Sequence, residues 1–141
     1  MDDWNCQCRI DLHKIILSHP IKKSLQDQAE SEKPNESCAI LFGKEDIVSE
    51  IFPAKNIEES PVNFTISNEQ LIDAYQTAEN KGLEIIGIFH SHPNSIAIPS
   101  ETDRKFMQSN PVTWVIYSGV EKDFHAFVLE SDVKEIEIKE S

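Results

Sequence analysis

The chain has 141 residues, the size of one ordinary domain, and needs no disulfide staples to bury a core. Its formal charge of −12, from 25 acidic against 13 basic residues with no basic cluster, disfavours nucleic acid and anionic membranes as partners. No apolar run is long enough to cross a bilayer, Met1-Asp2-Asp3-Trp4 lacks the marks of a signal peptide, and three cysteines are an odd count, so the expectation is a cytoplasmic protein with reduced thiols, one domain over residues 1–141.

For residues 1–8, which hold Cys6 and Cys8, disorder or a peripheral strand is expected, with a redox or metal role as the alternative. Arg9 to His13 alternates as a short strand before the apolar run Ile15 to Leu17. Pro20 opens a helix with Ile21, Leu25 and Ala29 on one stripe. Glu30 to Asn35 has loop composition and delivers the chain to Glu36 and the apolar run Cys38 to Phe42. Ala39 to Phe42 and Ile47 to Phe52 read as a hairpin about the turn Gly43 to Asp46. Val62, Phe64 and Ile66 alternate as a half-buried strand.

The clearest helix follows. Ser67 caps it with Gln70 at the reciprocal capping-box position, Leu71, Ile72, Tyr75 and Ala78 form its stripe, and Lys81-Gly82 ends it. Leu83 to Phe89 is a nearly continuous apolar run, the pattern of a central strand covered on both faces, and terminates at His90. Ser100 to Ser109 is a second short helix, and Val112 to Tyr117, Asp123 to Leu129 and Lys134 to Ile138 are further strands, with Gly119 in the turn between the first two. The mixture predicts an α/β or α+β layered domain without internal repeats.

Side chains at i and i+2 of a strand share one face, ~6.5 Å apart at the backbone, so His90 and His92 can converge on one ion. Asp103, in the first turn of the following helix, can add an oxygen from another direction. Three protein ligands leave a fourth position open, the catalytic arrangement for zinc, in which a bound water ionises near pH 7 instead of about 15.7. Ser100 is spaced to donate a hydrogen bond to the oxyanion that forms when water attacks a carbonyl. Local spacing does not choose the proton acceptor among the many carboxylates. Taken alone, Ser100-x-x-Asp103 is also an ordinary capped helix start, and His90 and His92 a polar strand terminus. Two ligand-type histidines, a serine and an aspartate in one strand-loop-helix passage weaken that reading. His13, His19 and His125 read as surface or packing residues, and Cys38 as a small core residue.

His90-Ser91-His92-Pro93, followed after seven residues by Ser100 and then Asp103, resembles the motif of the JAMM, or MPN-plus, metalloproteases in its short prokaryotic form. Pro34-Asn35-Glu36-Ser37-Cys38-Ala39-Ile40-Leu41-Phe42-Gly43 is similar to the same family's P-x-E-x-C-G-x-L-x-G stretch, which selects Glu36 as the base. Ala39 stands where the family has glycine, a change a strand tolerates unless the backbone needs positive φ. Asn56 and the segment around Phe64 also match family positions. The resemblance implies a mixed β-sheet sandwiched by helices (cytidine-deaminase-like), one zinc ion on His90, His92 and Asp103, and hydrolysis at the carboxyl tail of ubiquitin or ubiquitin-like proteins. The expected partner is a β-grasp modifier, whose extended tail can pair with a strand edge. The stretch between Asp103 and Val112 is too short for the second insertion of some eukaryotic relatives, so strong linkage selectivity is not expected. Alternatives are a peptidase trimming the carboxyl end of a sulfur-carrier protein and a metal-free scaffold subunit, the latter opposed by the complete motif.

Overall fold

The apolar runs of the sequence become the strands of one curled sheet. The computed structural model describes residues 14–141, so the expectations for Cys6, Cys8, Arg9 to His13 and His13 itself lie outside the described residues. In chain order the elements are β1 (Lys14–Ile16), α1 (His19–Ser31), β2 (Cys38–Lys44), β3 (Ile47–Ala54), α2 (Asn68–Asn80), β4 (Glu84–His92), α3 (Glu101–Ser109), β5 (Thr113–Ser118), β6 (Asp123–Leu129) and β7 (Val133–Lys139). The strand order is β1-β3-β2-β4-β5-β6-β7, and parallel pairing of β1 with β7 closes the sheet into a barrel. The β4–β5 pair is parallel, with α3 as its crossover, while β2 is antiparallel to β3 and β4. The closure is thin. β1 meets β3 at one register position, Ile16↔Ile47, so Val48 to Ala54 carry no strand partner on that side among the described residues.

Period-two alternation sorts side chains to the two faces of the sheet. One face carries Ala39, Leu41, Phe89, Val115, Tyr117, Ala126 and Val128 and packs on Leu25 and Ala29 of α1. The other carries Ile40 and Phe42 against Ala74 and Ala78 of α2, and Cys38, Ile88, Trp114, Ile116 and Phe127 with Met107 of α3. The sheet is thus sandwiched by helices, as the resemblance implied. Among the described residues no helix is long and apolar enough to cross a membrane.

Four local expectations are corrected. The alternation Val62, Phe64, Ile66 builds no strand: Phe64 is buried and Val62 exposed, but the backbone bonds to a side chain and a loop N–H instead of a ladder, with Thr65 N–H donating to Asn56 Oδ1 and Ile57 N–H to the Thr65 carbonyl. On α2 the buried residues are Ala74 and Ala78, while Ile72 and Tyr75 are 59% and 63% exposed, because small side chains let the helix lie close on Ile40 and Phe42. Ser67 Oγ accepts the Gln70 N–H as expected, but the Gln70 side chain bonds both backbone groups of Lys55 instead of closing the box. β4 does not end at His90, because pairing with β5 continues through Ser91↔Tyr117 and His92↔Ser118.

The C-terminus of α2 follows its sequence. Gly82 adopts φ +69°, Gly82 N–H donates to the Glu79 carbonyl and Leu83 N–H to Ala78, the Schellman pattern that only a residue tolerant of positive φ closes without strain. Ala39 lies in β2, fully buried and paired with Pro53 and Phe89, and is not among the positive-φ residues, so its methyl is accommodated.

Candidate metal centre

The extra length of β4 places both histidines on one face. His90 Nε2 and His92 Nε2 are 3.1 Å apart, and each is 3.1 Å from Asp103 Oδ2. All three residues are buried. The carboxylate arrives from α3, held by a reciprocal capping box: Ser100 Oγ accepts the Asp103 N–H at 3.1 Å, and Asp103 Oδ2 accepts the Ser100 N–H at 2.9 Å. The ordinary helix-start reading and the ligand reading therefore describe the same residues, because the cap is what aims the carboxylate at the imidazoles. Ser100 is exposed, and its hydroxyl hydrogen is not used in the cap.

The donor set fits a cation. His92 Nδ1 donates to the Ile96 carbonyl at 2.9 Å, which leaves a lone pair on Nε2 of the neutral ring, facing Asp103 Oδ2 and His90 Nε2. His92 Nε2 and Asp103 Oδ2, two acceptor atoms 3.1 Å apart, repel one another unless a proton or a metal ion stands between them. The edge of the triangle is close to the roughly 3.3 Å kept between ligands ~2.0–2.1 Å from a tetrahedral ion. Burial pulls the His90 pKa down, favouring the neutral ring, against the opposing effect of Asp103. Burial also works against a charge on His92, but hydrogen bonds with Asp103 and Ile96 outweigh it and raise its pKa. For Asp103 burial is likewise overcome, and hydrogen bonds from the two imidazoles hold it well below the usual carboxylate range.

Aromatic packing fixes the His90 ring. Phe64 stacks on it with centroids 4.6 Å apart, and Trp114 meets it edge-on at 5.7 Å. Neither ring was singled out for this from the sequence, because the alternation that buries them does not say which histidine they clamp.

Glu36 sits two residues ahead of Cys38, which pairs with His90, and continuing that register sets Glu36 across from His92. Ser37 reinforces the approach, its N–H donating to Ser91 Oγ at 2.9 Å. Glu36 is 4% exposed, and its Oε1 has no hydrogen-bond partner among the described residues. Burial chiefly, with the nearby Asp103 and Glu58 carboxylates adding to it and His92 opposing, pushes its pKa up to about 8. Cys38 is fully buried, and desolvation drives its thiol up to about 12, which suits a core residue and not a redox nucleophile. His19 pairs with Glu140 at the surface, and His125 lies between Asp123 and Glu135, both away from the triangle.

A close approach underlies the His92 end of β4. Gly119 N–H donates to the His92 carbonyl at 2.9 Å, and a Cβ there would lie 2.5 Å from the Pro93 carbonyl oxygen. Gly119→Ala is therefore expected to lose roughly 1–3 kcal/mol of stability by overpacking, measured by urea unfolding. A midpoint equal to that of the parent chain would show that the turn yields freely.

Sequence and structure comparisons identify the family and the fold. A profile of the family described as prokaryotic homologs of the JAB domain matches residues 18–130. A desampylase of Pyrococcus furiosus is 36% identical over 125 residues, 89% of this chain and 87% of its own length. The CysO-cysteine peptidase of Mycobacterium tuberculosis is 25% identical over 122 residues, 85% of this chain and 82% of its own. Among solved structures, a protein of Desulfitobacterium hafniense superposes with a TM-score of 0.83 at 27% identity, over 90% of this chain and 92% of that one.

Proposed function

Because the chain belongs to the family of prokaryotic homologs of the JAB domain and is an enzyme of the peptidase or isopeptidase kind, we propose that it uses one zinc ion, held by His90, His92 and Asp103, to hydrolyse the bond at the carboxyl tail of a ubiquitin-like modifier. It acts as one cytoplasmic domain that frees the modifier from conjugates or trims its precursor. The observation that supports this most is the buried His90–His92–Asp103 triangle with Glu36, whose Oε1 has no hydrogen-bond partner among the described residues, in register across from His92.

An ion held by His90, His92 and Asp103 would supply a water acidic enough to ionise near neutral pH. Glu36 is the group that would take that proton and later pass it to the leaving amine. Burial suits it to the role, since a base is most effective with a pKa near the working pH. Ser100 donates its free hydroxyl hydrogen to the oxygen that becomes negative at the scissile carbonyl. The side of β3 that has no strand partner among the described residues runs up to Ala54, whose partner Cys38 also pairs with His90, so an extended tail adding there is led toward the site.

The base must be ionised to work, so the rate rises with pH as Glu36 loses its proton. The acid limb of kcat/KM on a tail peptide is expected well above the ~4.3 of an ordinary glutamate and toward 8, drawn down from there by the positive ion. A limb at or below the ordinary glutamate range would contradict the role given to burial.

The CysO-cysteine peptidase likeness favours a second substrate class, a sulfur-carrier protein trimmed at its carboxyl end. Both are tested by offering the purified chain a ubiquitin-like conjugate and a sulfur carrier with one added carboxyl-terminal residue, with and without chelator, and assaying zinc after dialysis. Chelator-sensitive cleavage of the conjugate supports the first reading, and cleavage of the carrier alone the second. A zinc-free chain inert on both would overturn the proposal, and cleavage confined to one ubiquitin linkage would overturn the simple-modifier reading.

A further inference from the structure

The connection from Lys55 to Ser67 between β3 and α2 has no strand or helix, yet one side chain in it is saturated with hydrogen bonds. Asn56 is 4% exposed. Its Nδ2 donates to the Glu36 carbonyl and to the Asn63 carbonyl, each at 3.0 Å. Its Oδ1 accepts the Glu58 N–H at 3.0 Å and the Thr65 N–H at 3.1 Å. Those four bonds use both donors and both acceptor sites of a carboxamide. Two of the partners, the Asn63 carbonyl and the Thr65 N–H, bracket Phe64, the residue stacked on His90. A third belongs to Glu36, whose N–H is in turn held by the Ser60 carbonyl of the same connection at 2.8 Å.

We infer that Asn56 is a positioning residue for the reaction: its carboxamide ties the backbone of Glu36 and the Phe64 platform under His90 into one frame, so that base and metal ligands keep a fixed separation. The inference rests on the proposed role of Glu36. No other side chain of this size supplies two donors and two acceptors. Aspartate keeps the acceptors for Glu58 and Thr65 but offers nothing to the Glu36 and Asn63 carbonyls, and brings a negative charge against both. Alanine leaves all four backbone groups without their partner, in a site where water has little access. Because geometry, and not substrate contact, is what Asn56 controls, its loss should fall on kcat.

The test compares the parent chain with Asn56→Asp, Asn56→Ala, Phe64→Leu and Glu36→Gln, loaded with zinc and assayed on a tail peptide, with metal stoichiometry and native-state amide exchange as independent readouts. Asn56→Asp should bind one zinc and lose ten- to a hundredfold in kcat, on the order expected for a misplacement of about 1 Å, with KM changed less than about threefold. Asn56→Ala should show the same split with weaker metal retention, and Phe64→Leu the weaker retention with a smaller loss of kcat. In the parent chain the Glu36, Glu58 and Thr65 amides should exchange slowly.

Parent-like kcat in Asn56→Asp, beside an inactive Glu36→Gln, would overturn the inference and leave the base assignment standing. A fully active Glu36→Gln would remove the base assignment, and this inference with it. Should both Asn56 variants fail to fold, the parent chain decides: protected Glu58 and Thr65 amides support the frame, and exchange at free-loop rates overturns it.

Discussion

If zinc and a Glu36 base carry the reaction as proposed, Glu36→Gln is expected to bind zinc as the parent chain does and to lose roughly two to four orders of magnitude in kcat, the usual contribution of a positioned general base. The amide is nearly isosteric with the carboxylate and can occupy the same buried place, so the backbone held by Asn56 and Ser60 need not move. What it cannot do is accept and return a proton. The loss should therefore appear in kcat with KM and metal content near parental values. Removing a carboxylate whose charge is disfavoured by burial also relieves the metal-free fold, so the variant should be at least as stable as the parent at neutral pH. Zinc assay, thermal unfolding and turnover on one preparation check all three. Full turnover in this variant would show that another group moves the proton.

The second large effect belongs to Asp103. Its Oδ2 serves both imidazoles and the Ser100 N–H, so Asp103→Asn disturbs the donor triangle and the start of α3 together. The capping hydrogen bond can survive through the amide oxygen, but the negative charge opposite His90 and His92 is gone. Zinc should no longer be retained through dialysis, turnover should fall to background, and the cost of taking one partner from a buried ionic cluster should be about 3–5 kcal/mol. Glu101→Gln, in the same first turn but exposed, is the control and should change none of these. Retention of one zinc per chain by Asp103→Asn would mean that the carboxylate is only a helix cap.

The two variants also mark what was legible in the sequence. His90, His92 and Asp103 lie within one strand-loop-helix passage, and i, i+2 spacing with a capped helix start is a local signal. Glu36 is more than fifty positions away in sequence, and it joins the triangle only through the Cys38↔His90 register, which no local pattern encodes. The resemblance, not the spacing, selected it. Asn56 matches a family position, but its four bonds reach across a connection whose alternation at Val62, Phe64 and Ile66 predicts a strand. A side-chain amide that substitutes for a neighbouring strand leaves the hydrophobic period intact, so period alone misreads it. On α2 the expected stripe holds at Leu71 and Ala78, but it runs through Ala74 and leaves Ile72 and Tyr75 exposed, because close packing on the sheet favours a small side chain.

Among the described residues, ring closure rests on Lys14 to Ile16 of β1 bonding β7 at three positions and β3 at one. A fluctuation that peels this short segment away uncovers the flank of β7 beside the already open flank of β3, two templates for another copy. Heating or dilute denaturant should release the seam long before the interior melts, and intermolecular strand exchange would begin there.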